Sequence, residues 1–148
     1  MPIYFYSSSQ TYFEFSNFSP HGVAMDGAWW PTVEHYFQAM KFEDGAYRER
    51  IRRAHSPKDA KSLGRTRALP ILLDWDTRRD DVMLAAIRQK FSTHKTLRQM
   101  LLDTGDEELI ENAPMDYYWG CGRTGTGQNK LGHILMRVRD ELRRELAP

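Results

Sequence analysis

A chain of 148 residues, 41% hydrophobic and 28% charged, is expected to form one domain over 1–148. Such a domain buries roughly 68–70% of its unfolded surface. That composition excludes a disordered chain, a collagen and a disulfide scaffold, and the single cysteine, Cys121, points to a reducing, cytoplasmic home. A formal net charge of +1 does not imply global steering towards nucleic acid, and no apolar run reaches the ~18 residues of a membrane span.

The first element is a short strand at Ile3–Tyr6, in a segment without the basic and apolar regions of a secretory signal. Phe15–Pro20 reads as a loop. Val23–Met25 and Ala28–Trp30 flank Asp26-Gly27, a pair that accepts the positive φ of a tight hairpin turn. Thr32 is placed to cap a helix from Val33 to about Phe42. An arginine-rich helix follows at Tyr47–Ala54. Ser56-Pro57 opens a short helix to Leu63, stopped by Gly64. Asp76 is read as the cap of a long helix through Phe91, and Thr96–Leu102 as another. Leu109–Asn112 reads as a short strand. The last helix starts near Asn129, with Leu131, Ile134, Leu135, Val138 and Leu142 as its apolar stripe. The sum is an α+β fold, mainly helical, with a small β-sheet or hairpin. Strands and helices do not alternate regularly, which argues against a doubly wound sheet.

Charge is unevenly spread. The segment from Lys41 to Arg67 holds nine basic and four acidic residues, while Leu102 to Asp116 holds six acidic residues and no basic one. The plain explanation is two solvated helical faces. The functional one is a basic rim beside a site for a phosphorylated ligand.

Two constellations could carry chemistry. On a helix, Glu34, Gln38 and Lys41 share one face. Glu34 and Lys41 lie about 10 Å apart along its axis. Alone, this is an exposed polar face. Large aromatics precede and flank it, so burial is expected, and a buried polar stripe must be paired or functional. The second runs from Asp116 through Trp119, Gly120, Gly122, Gly125 and Gly127 to Asn129. Gly120–Gly125 matches G-x-G-x-x-G, but fewer than thirty residues remain and they read as one helix, so no dinucleotide-binding βαβ unit follows. What survives is a glycine loop whose backbone N–H groups, feeding a helix N-terminus, would attract an anion, or else a plain turn-rich loop. The five histidines show no metal-ligand spacing and Cys121 lacks a nucleophile signature, so no metal and no cofactor is expected. Trp75, at a helix entry, is either a core anchor or a stacking platform for a base.

The blocks Phe15-Ser16-Asn17-Phe18, Trp30-Pro31-Thr32-x-Glu34-His35-Tyr36-Phe37-Gln38-Ala39-x-Lys41-Phe42, Gly64-Arg65, Lys90-Phe91 and Trp119-Gly120-x-Gly122 with Gly125-x-Gly127-x-Asn129-x-Leu131-Gly132 resemble the NADAR (YbiA-like) family, from about Ile3 to Leu142. The resemblance implies an N-glycosidase that hydrolyses the bond between a ribose anomeric carbon and a heterocycle nitrogen. Its implied substrates are ribosylamino-pyrimidine phosphates of riboflavin biosynthesis or ADP-ribosylated guanine in nucleic acid. The latter brings in single-stranded nucleic acid and an ADP-ribosylating toxin as partners. Glu34, Lys41 and Asp116 are then the catalytic residues. Asn17, Gln38, Arg65, Trp75, Trp119, Gly120, Gly122, Gly125, Gly127 and Asn129 are the substrate-binding ones.

Glycoside hydrolysis uses carboxylates for the cationic anomeric centre and the water, roles for Glu34 and Asp116. Lys41 would act either as a cation on the phosphate or leaving nitrogen, or as a desolvated amine forming a Schiff base. The competing readings are a non-catalytic module for ADP-ribose or a nucleotide, and a toxin-neutralising partner.

Overall fold

The computed structural model describes residues 1–146. It is α+β and mainly helical, with six α-helices and four short strands among the described residues. The chain divides into two compact units, one of residues 20–93 and one of residues 1–19 with the segment from 94 onward.

The unit of residues 20–93 opens with the hairpin β2 (Val23–Met25) and β3 (Ala28–Trp30), in antiparallel register Val23↔Trp30 and Met25↔Ala28. Its turn places Asp26 at φ 54° and Gly27 at φ 76°, the left-handed pair that Asp-Gly supplies. The turn is tied down from the next element, because the Tyr36 hydroxyl donates to Asp26 Oδ2 at 3.1 Å. Helix α1 (Val33–Ala39) follows, with Thr32 accepting from the His35 N–H. All seven of its residues are buried, because α2 (Gly45–Arg52), α3 (Pro57–Leu63) and α4 (Trp75–Thr93) pack around it. Phe37, Phe42, Ile51, Met83, Ile87 and Phe91 fill the core between them. Each such side chain contributes roughly 1.5–3 kcal/mol on burial.

In the other unit, β1 (Ile3–Phe5) pairs in parallel with β4 (Leu109–Glu111), with Ile3 opposite Leu109. A 3-10 turn at Phe13–Phe15 leads into the loop expected at Phe15–Pro20, and it seats Phe15 edge-on to Phe5 with ring centroids 5.9 Å apart. Helix α5 (Lys95–Asp103) and helix α6 (Lys130–Leu146) pack together, and α6 covers β4 with Leu131, Leu135, Val138 and Leu142. Buried Arg139 closes this layer by donating to Thr104 Oγ1 and the Glu107 carbonyl.

Several boundaries differ from the sequence expectation for local reasons. Helix α1 stops at Ala39 rather than Phe42, because Phe42 is drawn into an extended bridge with Ile71. Helix α2 begins at Gly45, since Asp44 caps the Tyr47 N–H. Helix α4 begins at Trp75, with the Asp74 carbonyl taking the N–H groups of Thr77 and Arg78. Asp76 therefore lies in its first turn and is not its cap.

Candidate active site

Helix α1 presents a carboxylate and an amide one turn apart. Glu34 and Gln38 are both buried, and Gln38 Nε2 donates to Glu34 Oε2 at 2.6 Å. An amide on one carboxylate oxygen fixes its orientation. The Gln38 Oε1 on the other side is buried without a hydrogen-bond partner and lies against Gly64. A β-carbon at position 64 would overlap that oxygen. Glycine is thus required there by close approach, beyond its role in ending α3.

Lys41 follows in the turn that closes α1 and sits half-buried. Its Nζ donates to the Gly64 carbonyl at 3.4 Å. Burial pushes its pKa below the ordinary lysine value; the Glu34 carboxylate opposes this, and the cations of Arg65 and Lys61 reinforce it. Glu34, Gln38, Lys41, Gly64 and Arg65 thus form one neighbourhood on this unit. Lys61 belongs to it and was not singled out from the sequence. The signal was its spacing, four residues before Arg65. Lys90, on α4, is fully buried, with its ammonium 5.5 Å from the Phe91 ring centroid. The sequence marks Lys90 only as part of the Lys90-Phe91 block, without a role.

His35, between these residues in sequence, is committed elsewhere. Its Nε2 donates to the Ala54 carbonyl at 3.1 Å, which leaves Nδ1 to accept from the Thr32 hydroxyl at 2.8 Å. Burial lowers its pKa, so it is held as the neutral imidazole that staples α1 to the end of α2. Trp75 is buried against Phe37, ring centroids 5.2 Å apart, as a core anchor would be.

The glycine loop lies on the other unit. Asp116 Oδ1 accepts from the backbone N–H groups of Tyr118 and Trp119, at 2.9 and 2.8 Å, and so holds the Tyr-Trp step in place. Trp119 is half-exposed and stands edge-on to Tyr118. Gly122 and Gly125 both take positive φ. The amides of Cys121, Gly122, Gly125 and Gly127 bond to carbonyls of Glu111, Ala113, Gly122 and Cys121. Those of Asn129, Lys130 and Leu131 bond to the carbonyls of Gly120, Tyr118 and Trp119. The Thr124 hydroxyl and the amides of Thr124 and Arg123 bond the Tyr117 hydroxyl and lower its pKa. The expectation of open amides on the loop and at the start of α6 is therefore corrected: nearly all are used in folding the loop itself. Asn129, at φ 51°, clasps β4, accepting from the Glu111 N–H and donating to the Leu109 carbonyl. Asn17 is buried in the same unit.

The NADAR domain model matches residues 4–143.

The chain belongs to the NADAR family.

It is 47% identical to an N-glycosidase of Nostoc punctiforme over 150 residues, covering 99% of this chain and 96% of that protein. The NMR structure of the Escherichia coli protein YbiA superposes with a TM-score of 0.90 at 46% identity, covering 97% of this chain and 86% of that one. The chloroplastic riboflavin biosynthesis protein PYRR of Zea mays is 44% identical over 155 residues, 95% of this chain but 25% of that longer protein. This NADAR chain is an enzyme, a hydrolase of N-glycosyl bonds, so the reading as a binding module without turnover gives way. Among the described residues no group of His, Cys, Asp and Glu could hold a metal ion, and no helix is long and apolar enough to cross a membrane.

Proposed function

We propose that this N-glycosidase cleaves the ribose C1–N bond of a ribosylamino-pyrimidine phosphate through a Schiff base on Lys41. The carrying observation is the partly desolvated amine of Lys41, depressed in pKa beside the buried Glu34–Gln38 pair. An amine attacks carbon only when neutral, and burial with two neighbouring cations favours the neutral form. A ribosylamine opens to an imine at C1. The Lys41 amine adds there, the C1–N bond to the heterocycle breaks, and the heterocycle leaves as its free amine after taking a proton. Water then adds to the Lys41 iminium, the C1–Nζ bond breaks, and ribose phosphate departs. Glu34 serves as the proton carrier and steadies the cationic carbon, and Gln38 holds its carboxylate in register.

Arg65 holds the phosphate. Trp75 packs on Phe37 behind the Glu34 helix. On the other unit, Asp116 holds the Tyr118–Trp119 step, and Gly120, Gly122, Gly125, Gly127 and Asn129 shape the loop that presents half-exposed Trp119. The riboflavin names of the Zea mays relative and of a Vibrio vulnificus relative support the pyrimidine substrate. ADP-ribosylated guanine presents the same C1–N bond and is the competing substrate.

The test offers both substrates to wild-type protein under borohydride. Release of the pyrimidine with a reduced pentose phosphate adduct mapped to Lys41 supports the proposal. Turnover without any adduct at Lys41 moves the attack to water. Preferential release of guanine-linked ADP-ribose changes the substrate.

A further inference from the structure

Gly64 follows α3 in the ordinary helical region, at φ −67° and ψ −11°. Most residues adopt that conformation, and it is not the left-handed one for which a helix end recruits glycine. The backbone therefore does not call for glycine here, and the reason is space. The bare α-carbon faces the Gln38 side chain along its length, so that an added β-carbon would overlap Oε1 and Cδ and crowd Cβ at 3.1 Å. Both ends of that amide have a defined neighbour. Its Nε2 donates to Glu34 Oε2 at 2.6 Å, and its buried Oε1 accepts no hydrogen bond and rests against Gly64. A reversed amide would set oxygen against the Glu34 carboxylate, so the carboxylate selects the sense of the amide and Gly64 leaves it room. An interior acceptor without a donor is costly, and each one calls for a reason. The carbonyl of the same glycine receives Lys41 Nζ at 3.4 Å.

We propose that Gly64 is a positioning residue of the reaction. Its bare α-carbon seats the Gln38 amide that orients the Glu34 carboxylate, and its carbonyl seats the Lys41 amine. One backbone unit thus sets the spacing of proton carrier and nucleophile, which rests on the roles proposed above for Glu34 and Lys41. Both of those side chains belong to α1 and the turn that closes it, whereas the seat comes from the end of α3. Packing from a second element restricts the rotamers of Gln38 and Lys41 before substrate arrives. Proton transfer and amine attack both depend on such prior placement, and a misplacement of about 1 Å costs about a hundredfold in rate.

The test is a double-mutant cycle on pyrimidine release with Gly64→Ala, Gln38→Ala and the variant that carries both, folding being verified by circular dichroism. The backbone at 64 suits alanine, so Gly64→Ala acts through the crowding of Gln38. Each single change is expected to lower kcat by about ten- to a hundredfold with KM near wild type. In the double variant the new methyl group enters space that the amide has left, so its kcat should equal that of Gln38→Ala. Losses that multiply in the double variant, or a Gln38→Ala protein with wild-type kcat, overturn the proposal. A raised KM at constant kcat also overturns it and assigns Gln38 to substrate binding. Should Gly64→Ala fail to fold, the double variant compared with Gln38→Ala still decides, because the room for the methyl group is then present. A second readout needs no turnover: the side-chain amide resonance of Gln38 should shift in Gly64→Ala, and an unmoved resonance overturns the seat. Failure of the glycosidase reading shows separately, as no release from the wild type.

Discussion

Helix α1 and the glycine loop were the two regions whose residue types promised chemistry, and they use their polar groups in opposite ways. In the loop, the carboxylate of Asp116 and the amides from Cys121 to Leu131 bond to one another's neighbours and make a turn-rich scaffold. On α1, Glu34 and Gln38 bond each other inside the core, and the Lys41 ammonium beside them makes a long contact to the Gly64 carbonyl. A buried polar group without full compensation is costly, and such a cost persists where function maintains it. A dense motif is therefore weak evidence for a ligand until its hydrogen bonds have been traced.

The comparison breaks most directly at Lys41. Lys41→Met is expected to lower kcat by a thousandfold or more while leaving the melting temperature near wild type, because it removes the nucleophile and a desolvated cation together. A variant that keeps a tenth of the activity would end the Schiff-base route. Glu34→Gln is expected to cost about 10²–10⁴ in kcat, the range for a proton carrier. It should also move the rising limb of the pH–rate profile to lower pH, since the Glu34 charge raises the Lys41 pKa. Arg65→Gln should move that limb the other way, because a cation that lowers the pKa is gone. Profiles that do not separate in these directions would remove Lys41 from the titration.

Smaller effects sharpen the contrast with the loop. Gly64→Ala should cost about 1–3 kcal/mol and reduce kcat, since the new methyl group must displace the Gln38 amide from beside Glu34. Asp116→Ala should destabilise by roughly 1–2 kcal/mol through two lost backbone acceptor contacts. Asp116→Asn keeps a carbonyl acceptor and should restore most of that stability. If activity returns with it, the carboxylate is scaffold alone; if the Asn variant is stable and inactive, it is also chemical. The mildest effect is on the pH dependence of folding. The His35 pKa is depressed in the fold, so its contribution is complete above the unfolded value of about 6.5 and is lost as pH falls below it. Urea midpoints measured down that range should decline less in His35→Gln than in wild type.

Much of the local structure could be read from residue types and spacing. Asp26-Gly27 specified its turn, Thr32 and Ser56 their helix starts, and Glu34 and Gln38 their common face. The ends of helices were less legible: Phe42 leaves α1 for a bridge to Ile71, a partner 29 positions away that no local rule announces. The glycine loop misled for the same reason, since its amide partners lie at Glu111, Ala113 and Tyr117, which spacing alone does not bring near.

The sequence by itself determined the helical faces, the caps, the hairpin and the blocks that carry the family, because each depends on residues within a turn or two of one another. Only the tertiary structure decided the parallel pairing of Ile3 with Leu109, the depressed pKa of Lys41 among Glu34, Arg65 and Lys61, and which arginines of the 45–53 segment pair with Glu49. Strand pairing, desolvation and charge neutralisation are properties of groups distant in sequence, and they exist only once packing has brought those groups together.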